Sequence, residues 1–151
     1  MDPVQNDRDD DIVVSIILDG IHLAPETARV AWRTATGRLA LVTDAITAAG
    51  VADGEYSFGN FDVFVHEGTV RGPDGVLAGS VLTMIEAVRN LHAIGAPLEE
   101  AIAAATSTPA RVLGEPDLGR LAVGLPADLV VLDDELEIER VLVAGTVHVA
   151  V

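Results

Sequence analysis

Cysteine and lysine are both missing from this chain of 151 residues, and aromatic residues make up only 3% of it. Without cysteine the chain can form no disulfide and offers no thiolate to a metal. No apolar run approaches the roughly 20 residues that a helix needs to cross a bilayer. The acidic opening segment also lacks the basic and apolar regions of a signal peptide. We therefore expect a cytoplasmic protein.

Positive charge is scarce as well. All nine basic residues are Arg, against 24 Asp and Glu, and the formal net charge is −15. A surface this negative repels nucleic-acid backbones and anionic lipids, so we expect neither nucleic acid nor a membrane as partner. A small anionic substrate is still compatible with the charge, provided that a local Arg, His or helix N-terminus meets it. Adaptation to high salt and a GC-rich genome would each favour this composition.

Half of the residues are hydrophobic, which is typical of a folded domain. The length is too short for a complete βα barrel of about 250 residues. Residues 1–11, with five Asp and one Arg, predict a disordered leader. The next segments predict a strand over Ile12–Leu18, a helix over Pro25–Ala35 and a strand over Leu39–Thr43. Strand, helix and strand in this order indicate a βαβ unit with parallel strands, each buried on both faces.

The rest of the chain predicts mixed structure. Aromatic and β-branched residues near 52–70 predict one or two hairpins with turns at Gly59-Asn60 and Glu67-Gly68. Ser80 is predicted to cap a helix that runs to about Ile94. Further helices are predicted over 97–106 and 108–114, followed from Gly119 by four short strands at 121–123, 128–132, 139–143 and 146–149.

Asp44 is the leading catalytic candidate, because it directly follows a buried strand and precedes a loop that ends at Gly50. In βα barrels, reactive side chains lie where the parallel strands end. The alternative is a structural Asp in a turn or at a helix N-terminus, where this residue type is common.

Two other segments could contribute to the same site. Asp19-Gly20-Ile21-His22 follows the first strand, and Leu77-Ala78-Gly79 precedes a predicted helix N-terminus, where backbone amides can hold an anionic or hydroxyl-rich ligand. None of the four histidines has the spacing of a local metal motif. His92 and His148 are expected to be structural or exposed, His66 has no partner nearby in the sequence, and His22 could equally be a capping or turn residue. Phosphate-loop, dinucleotide-binding and serine-hydrolase motifs are all missing.

Five segments together resemble, in the same order, the C-terminal part of the N-acetylglucosamine-6-phosphate deacetylases, a family of the amidohydrolase superfamily. The resemblance extends from Ile12 to the C-terminus and rests on Asp19–His22, Leu41–Ala45, Leu77–Ser80, Thr108–Arg111 and Gly124–Val130. The last segment is general to the superfamily, whereas the combination of the first three is more specific to the deacetylases.

The resemblance implies an α/β fold: residues 12–114 would be the last units of a TIM-like barrel and residues 119–151 strands of a small β-sandwich. It implies removal of the acetyl group from N-acetylglucosamine 6-phosphate. Asp44 would take a proton from metal-bound water and pass it to the leaving amine, and could also ligate the metal, which is zinc or iron in the family. The substrate would be contacted by Asp19, Gly20, Ile21, His22, Leu77, Ala78 and Gly79. Full-length members are expected to form homodimers.

One departure from the family pattern leaves alternatives open. The principal metal ligands of the family, a Glu and two His, lie upstream of the region that this chain resembles, as does the Arg that meets the phosphate. The resemblance therefore implies a C-terminal fragment that is inactive alone. The first alternative is a non-catalytic remnant or association module with exposed strand edges. The second is another amidohydrolase, such as a dihydroorotase-like enzyme or an amino-acid deacylase.

Overall fold

A computed structural model describes residues 12–150, so the predicted disordered leader, residues 1–11, lies outside the described residues. The described part is an α/β arrangement of helices and three small sheets. None of its helices is long and apolar enough to cross a membrane. In chain order the elements are β1 (Val14–Ile17), α1 (Pro25–Thr34), β2 (Leu39–Val42), β3 (Gly54–Phe58), β4 (Phe61–His66), β5 (Thr69–Arg71), β6 (Leu77–Ser80), α2 (Met84–Ala93), α3 (Leu98–Ala105), α4 (Ser107–Leu113), β7 (Leu129–Leu132), β8 (Ile138–Val143) and β9 (Thr146–Ala150).

The predicted βαβ unit is present. Strands β1 and β2 pair in parallel, from Val14 opposite Leu39 to Ile17 opposite Val42. Helix α1 connects them and begins at a proline, whose fixed φ suits the first helical position. Its apolar face contributes fully buried Ala28 to the core.

The main core lies where β1 and β2 pack against the helices. It is built from buried aliphatic side chains of both strands, of α1, α2 and α3, and of the segments that adjoin these elements, namely Ile16, Leu18, Ala28, Leu39, Leu41, Leu82, Ala87, Val88, Leu91, Ala96, Ala101 and Ala104. The other face of the sheet is less covered, since Ser15 and Val42 are exposed. The expectation that both strands are buried on both faces is therefore wrong: within the described residues, no element covers that face at Ser15 and Val42.

Strands β3 to β6 form an antiparallel sheet with its own small core around Val63, Val65 and Val70. The hairpin turns lie at the predicted positions, Gly59-Asn60 and Glu67-Gly68. The sheet is joined to the end of β2 by a parallel bridge between Ser80 and Ala45. The hairpin segment thus returns to the place where β2 ends.

Helix α2 begins later than the sequence predicts. Its N-cap is Thr83, whose hydroxyl accepts a hydrogen bond from the Glu86 amide while the Glu86 carboxylate accepts one from the Thr83 amide. The prediction that Ser80 caps this helix is wrong, because Ser80 ends strand β6 and its hydroxyl donates to the Thr43 carbonyl. The reciprocal Thr83–Glu86 pair is a capping box, which satisfies the amides of both residues at the helix end.

The tail forms a three-stranded antiparallel sheet in the order β7-β8-β9. It is attached to helix α2 through Arg89, which donates to the Leu136 carbonyl at 2.6 Å and pairs with Glu137 at 2.7 Å. The predicted strand at 121–123 is wrong. In the described chain no segment pairs with it, and Leu121 is 84% exposed, so its β-propensity has no partner to act on.

Candidate active site

Two of the predicted segments leave the same end of the β1–β2 sheet. Because the strands are parallel and in register up to Ile17 and Val42, the chain enters Asp19–His22 and Asp44 at corresponding positions just beyond that end. Helix α2 holds the end of β1 in place, since the Asn90 side-chain amide donates to the Leu18 carbonyl at 2.8 Å. The sheet thus delivers both segments to one edge.

Asp19 and His22 form a closed local unit. The Asp19 side chain is only 7% exposed. Its Oδ1 accepts hydrogen bonds from the Ile21 and His22 amides at 2.9 Å each, and its Oδ2 lies 2.7 Å from His22 Nδ1. Burial raises the pKa of the Asp19 carboxyl, but the hydrogen bonds from the two amides and the ring outweigh it and hold the pKa below its ordinary value. Asp19 therefore orients the His22 ring by its Nδ1 edge.

Asp44 adopts a backbone conformation that is uncommon among non-glycine residues, although Asp tolerates it better than most. Its φ is +51°, in the left-handed region. Among the described residues, three other non-glycine residues have a positive φ, and each lies in a turn between antiparallel strands: Glu67, Leu136 and Ala144. Asp44 instead follows a parallel strand and caps no described helix, and it lies inside the short turn that the Ala45 amide closes by donating to Thr43 Oγ1. Backbone strain of this kind costs about 1–3 kcal/mol and clusters at functional sites.

The Asp44 carboxylate is exposed, and no described residue gives it a hydrogen bond or an ion pair. It lies beside strand β6, because a Cβ placed on Gly79 would be 3.9 Å from Asp44 Oδ2 and 3.1 Å from the Asp44 carbonyl oxygen. The carboxylate is therefore exposed and lies beside β6.

Leu77, Ala78 and Gly79 are brought to Asp44 in a different form from the one predicted. They belong to strand β6 and do not form a loop at a helix N-terminus, since α2 begins at Met84. The expected amide cradle in front of a helix is therefore wrong, because β6 is committed to pairing with β5 and to the bridge at Ala45. What these residues offer is a strand surface beside Asp44.

An open depression of about 510 Å³ lies along the same strand. It is lined by Leu77 and Ala78 from β6 and by side chains from the hairpin and the turn before β6, namely Phe61, Gly72, Pro73, Asp74 and Val76. The lining is mostly apolar, with one carboxylate. The sequence reasoning singled out Leu77 and Ala78 but not Phe61 or Asp74, whose position depends on the hairpin pairing.

The described residues do not fit a metal centre. Between residues 12 and 148, no group of three or more His, Asp and Glu side chains lies close enough to hold an ion. The Nδ1 edge of His22 is taken by Asp19, and His66 is similarly paired with Asp53 at 3.0 Å. Zinc or iron, which the family resemblance implies, therefore has no ligand set in this part of the chain, and Asp44 would be at most one ligand.

Ser80 is the residue at this edge that sequence reasoning placed wrongly. It is 1% exposed, and its hydrogen bonds reach the residues on both sides of Asp44. The available signal was Gly79, since a glycine inside a strand often marks a close approach of two backbones.

Comparison with known proteins identifies relatives for nearly the whole chain. Residues 7–148 match the model of the amidohydrolase family. An N-acetylglucosamine-6-phosphate deacetylase of Vibrio furnissii is 40% identical over 134 residues, which cover 87% of this chain and 34% of that relative. A putative N-acetylgalactosamine-6-phosphate deacetylase of Escherichia coli K12 is 39% identical over 134 residues, which cover 87% of this chain and 80% of that protein.

Comparison with solved structures identifies a similar protein. The crystal structure of N-acetylglucosamine-6-phosphate deacetylase from Thermotoga maritima superposes with a TM-score of 0.86 at 36% identity, covering 91% of this chain and 39% of that one. The chain thus spans between a third and two fifths of the length of the Vibrio and Thermotoga proteins.

Proposed function

The chain belongs to the amidohydrolase family, and on that premise we propose that it carries the acid–base carboxylate and the substrate-contacting segments of an N-acetylglucosamine-6-phosphate deacetylase. The reaction hydrolyses the acetamide of N-acetylglucosamine 6-phosphate to glucosamine 6-phosphate and acetate. In this proposal, residues 12–114 are the last βα units of a TIM-like barrel, with the β3–β5 hairpins as an insertion, and residues 119–151 are strands of a small sandwich.

Asp44 is the acid–base group in this proposal. Its carboxylate accepts a proton from the water whose oxygen bonds to the acetyl carbon. It then gives that proton to the sugar nitrogen as the carbon–nitrogen bond breaks, so that the amine leaves neutral. A positioned group that moves protons in both directions contributes typically 10²- to 10⁴-fold to the rate.

The other two segments bind and orient the sugar phosphate in this proposal. Asp19 holds the His22 ring by Nδ1 at 2.7 Å, which leaves Nε2 for the substrate. Gly20 and Ile21 complete that turn. Leu77, Ala78 and Gly79 supply the strand surface on the other side of Asp44. The observation that carries the proposal is the exposed Asp44 carboxylate, which has no partner among the described residues and lies beside Gly79, at the end of the sheet from which Asp19–His22 also leaves.

A second candidate substrate is the C4 epimer, N-acetylgalactosamine 6-phosphate. The Escherichia coli K12 relative carries that name, and the chain covers 80% of it. Both substrates present the same acetamide to Asp44, so the chemistry is shared and only recognition of the sugar differs.

The experiment is a hybrid enzyme. Residues 12–148 of this chain replace the matching third of the Vibrio furnissii deacetylase. Acetate release is measured with both N-acetyl sugar phosphates and an N-acetyl amino acid, and ring opening is measured with a cyclic amide. We expect release from one or both sugar phosphates only. Acetate release from the amino acid, ring opening of the cyclic amide, or a folded hybrid that releases no acetate would overturn the proposal.

A non-catalytic association module is the alternative that one observation favours. The end of α4 and the segment after it carry exposed apolar side chains, namely Leu113, Leu118, Leu121 and Val123. Exposed apolar surface of this extent is typical of contact regions. Light scattering of the purified chain tests it: a stable oligomer without substrate binding supports association as the role, and a monomer that binds the sugar phosphate contradicts it.

A further inference from the structure

Ser80 makes an unusual set of contacts around Asp44. Its amide donates to the Asp44 carbonyl at 2.8 Å, and its own carbonyl accepts from the Ile46 amide at 3.1 Å. Its hydroxyl donates to the Thr43 carbonyl and accepts from the Leu82 amide at 3.0 Å. Hydrogen bonds from this one residue therefore reach the residue before Asp44, Asp44 itself and the second residue after it.

The Ser80 hydroxyl makes a hydrogen bond to the Thr43 carbonyl in addition to the two backbone bonds. The two backbone bonds would form with any residue other than proline at position 80, because they belong to the parallel bridge with Ala45. The bond to the Thr43 carbonyl depends on the side chain, which is 1% exposed and so has no water to replace it. Thr43 carries the last carbonyl before the chain turns into the left-handed conformation of Asp44.

The neighbouring glycine allows this contact. Gly79 has φ +107°, and a Cβ there would lie 2.6 Å from Ile46 Cγ2 and 3.1 Å from the Asp44 carbonyl oxygen. Only a residue without a side chain lets β6 come this close to Asp44. Gly79 therefore allows β6 to lie close to Asp44, and Ser80 makes the hydrogen bonds to the residues around Asp44.

We propose that Ser80 is a positioning residue for Asp44, and that its buried hydroxyl holds the Thr43 carbonyl so that Asp44 stays in the left-handed conformation that aims its carboxylate along β6. The role in turnover rests on the proposed function. The effect on the backbone does not, so the two can be tested separately.

The first test uses the chain itself. The three-bond HN–Hα coupling of Asp44, measured by NMR, reports its φ. We expect Ser80→Ala to change this coupling, whereas Ser107→Ala, an exposed serine at the start of α4, leaves it unchanged. Ser80→Cys keeps a weak donor of similar size, and we expect a smaller change in the same direction. It also serves as the test if the alanine variant does not fold. An unchanged coupling in the folded Ala or Cys variant would overturn the proposal.

The second test uses the hybrid enzyme. A displaced acid–base group lowers the rate more than it weakens binding, so we expect Ser80→Ala to lower kcat by about 10- to 100-fold with a smaller change in KM. A loss confined to KM, or equal activity of the Ser80→Ala and Ser107→Ala hybrids, would overturn the positioning role. The Asp44→Asn variant distinguishes failure of the proposed function from failure of the Ser80 role. If Asp44→Asn keeps full activity while Ser80→Ala still changes the Asp44 coupling, the proposed function fails and the backbone role of Ser80 stands.

Discussion

Replacing Gly79 with alanine tests how closely strand β6 lies against Asp44. The new methyl group would lie 2.6 Å from Ile46 Cγ2, closer than two carbons can come, and the φ of +107° is one that alanine avoids. The conformational penalty is about 1–2 kcal/mol, and forcing the neighbours apart costs typically 1–3 kcal/mol. Alanine also restricts the unfolded chain, which returns about 0.4–1 kcal/mol. We expect a net loss in the free energy of unfolding of roughly 2–4 kcal/mol.

Gly59→Ala is the matched control for this variant. Gly59 also has a positive φ, +64°, but nothing lies within 4 Å of its Cβ position, so only the conformational penalty applies. Urea unfolding followed by far-UV circular dichroism gives both values. With a denaturant slope of about 1–3 kcal/mol per molar, the extra loss lowers the midpoint of the Gly79 variant by about 1 M relative to the control. Equal midpoints would contradict the close contact of β6 with Asp44 and Ile46.

Three further predictions concern the support of the site and the core. The pKa of Asp19 is lower in the folded chain, so the unfolded chain takes up a proton at this group first as the pH falls. Its contribution to stability is complete above pH 3.8 and is lost as the pH falls through the folded pKa. Urea midpoints between about pH 6 and pH 2 should therefore fall less steeply for Asp19→Asn than for the wild type, and equal slopes would contradict the assignment. Thr83→Ala removes the N-cap of α2 and should cost about 1 kcal/mol in urea unfolding, against almost nothing for the exposed Thr27→Ala in α1. Glu100→Ala removes the carboxylate that accepts the hydrogen bond from Trp32 Nε1, 2.7 Å away. The variant should lose about 1 kcal/mol in the free energy of unfolding, and the fluorescence of the single tryptophan should shift to the red. Glu99→Ala should cause neither change, and an unshifted spectrum for Glu100→Ala would refute the contact.

Local sequence patterns predicted much of the fold. Proline at position 25, the β-branched run at 12–18 and the turn residues Gly59-Asn60 each act on their own few residues, so the βαβ unit and the hairpins could be predicted without knowing what packs on them. The failures concern partners that are distant in the sequence or missing. Ser80 has the propensity of a helix cap, but its hydroxyl bonds a carbonyl 37 residues away, and the segment at 121–123 has strand propensity without a neighbouring strand.

At the candidate site, too, local contacts could be predicted from the sequence and contacts between distant residues could not. Asp19 and His22 are three residues apart, so their contact follows from local spacing, and Asp44 could be singled out because a polar residue ends a buried strand. The left-handed conformation of Asp44 could not be predicted, because it depends on how β6 returns after the hairpins to bond both sides of it. The depression beside β6 likewise exists only once Phe61 and Asp74 have been brought together by the sheet.

The most direct measurement is kcat for acetate release by the hybrid enzyme carrying Asp44→Asn. Asparagine tolerates the same left-handed backbone and has the same shape, but it cannot take a proton from water. Asp134→Asn, an exposed carboxylate in the turn between β7 and β8, is the control for loss of one charge. The account predicts a loss of at least about 100-fold for Asp44→Asn and wild-type activity for Asp134→Asn. An Asp44→Asn hybrid as active as the control would contradict it.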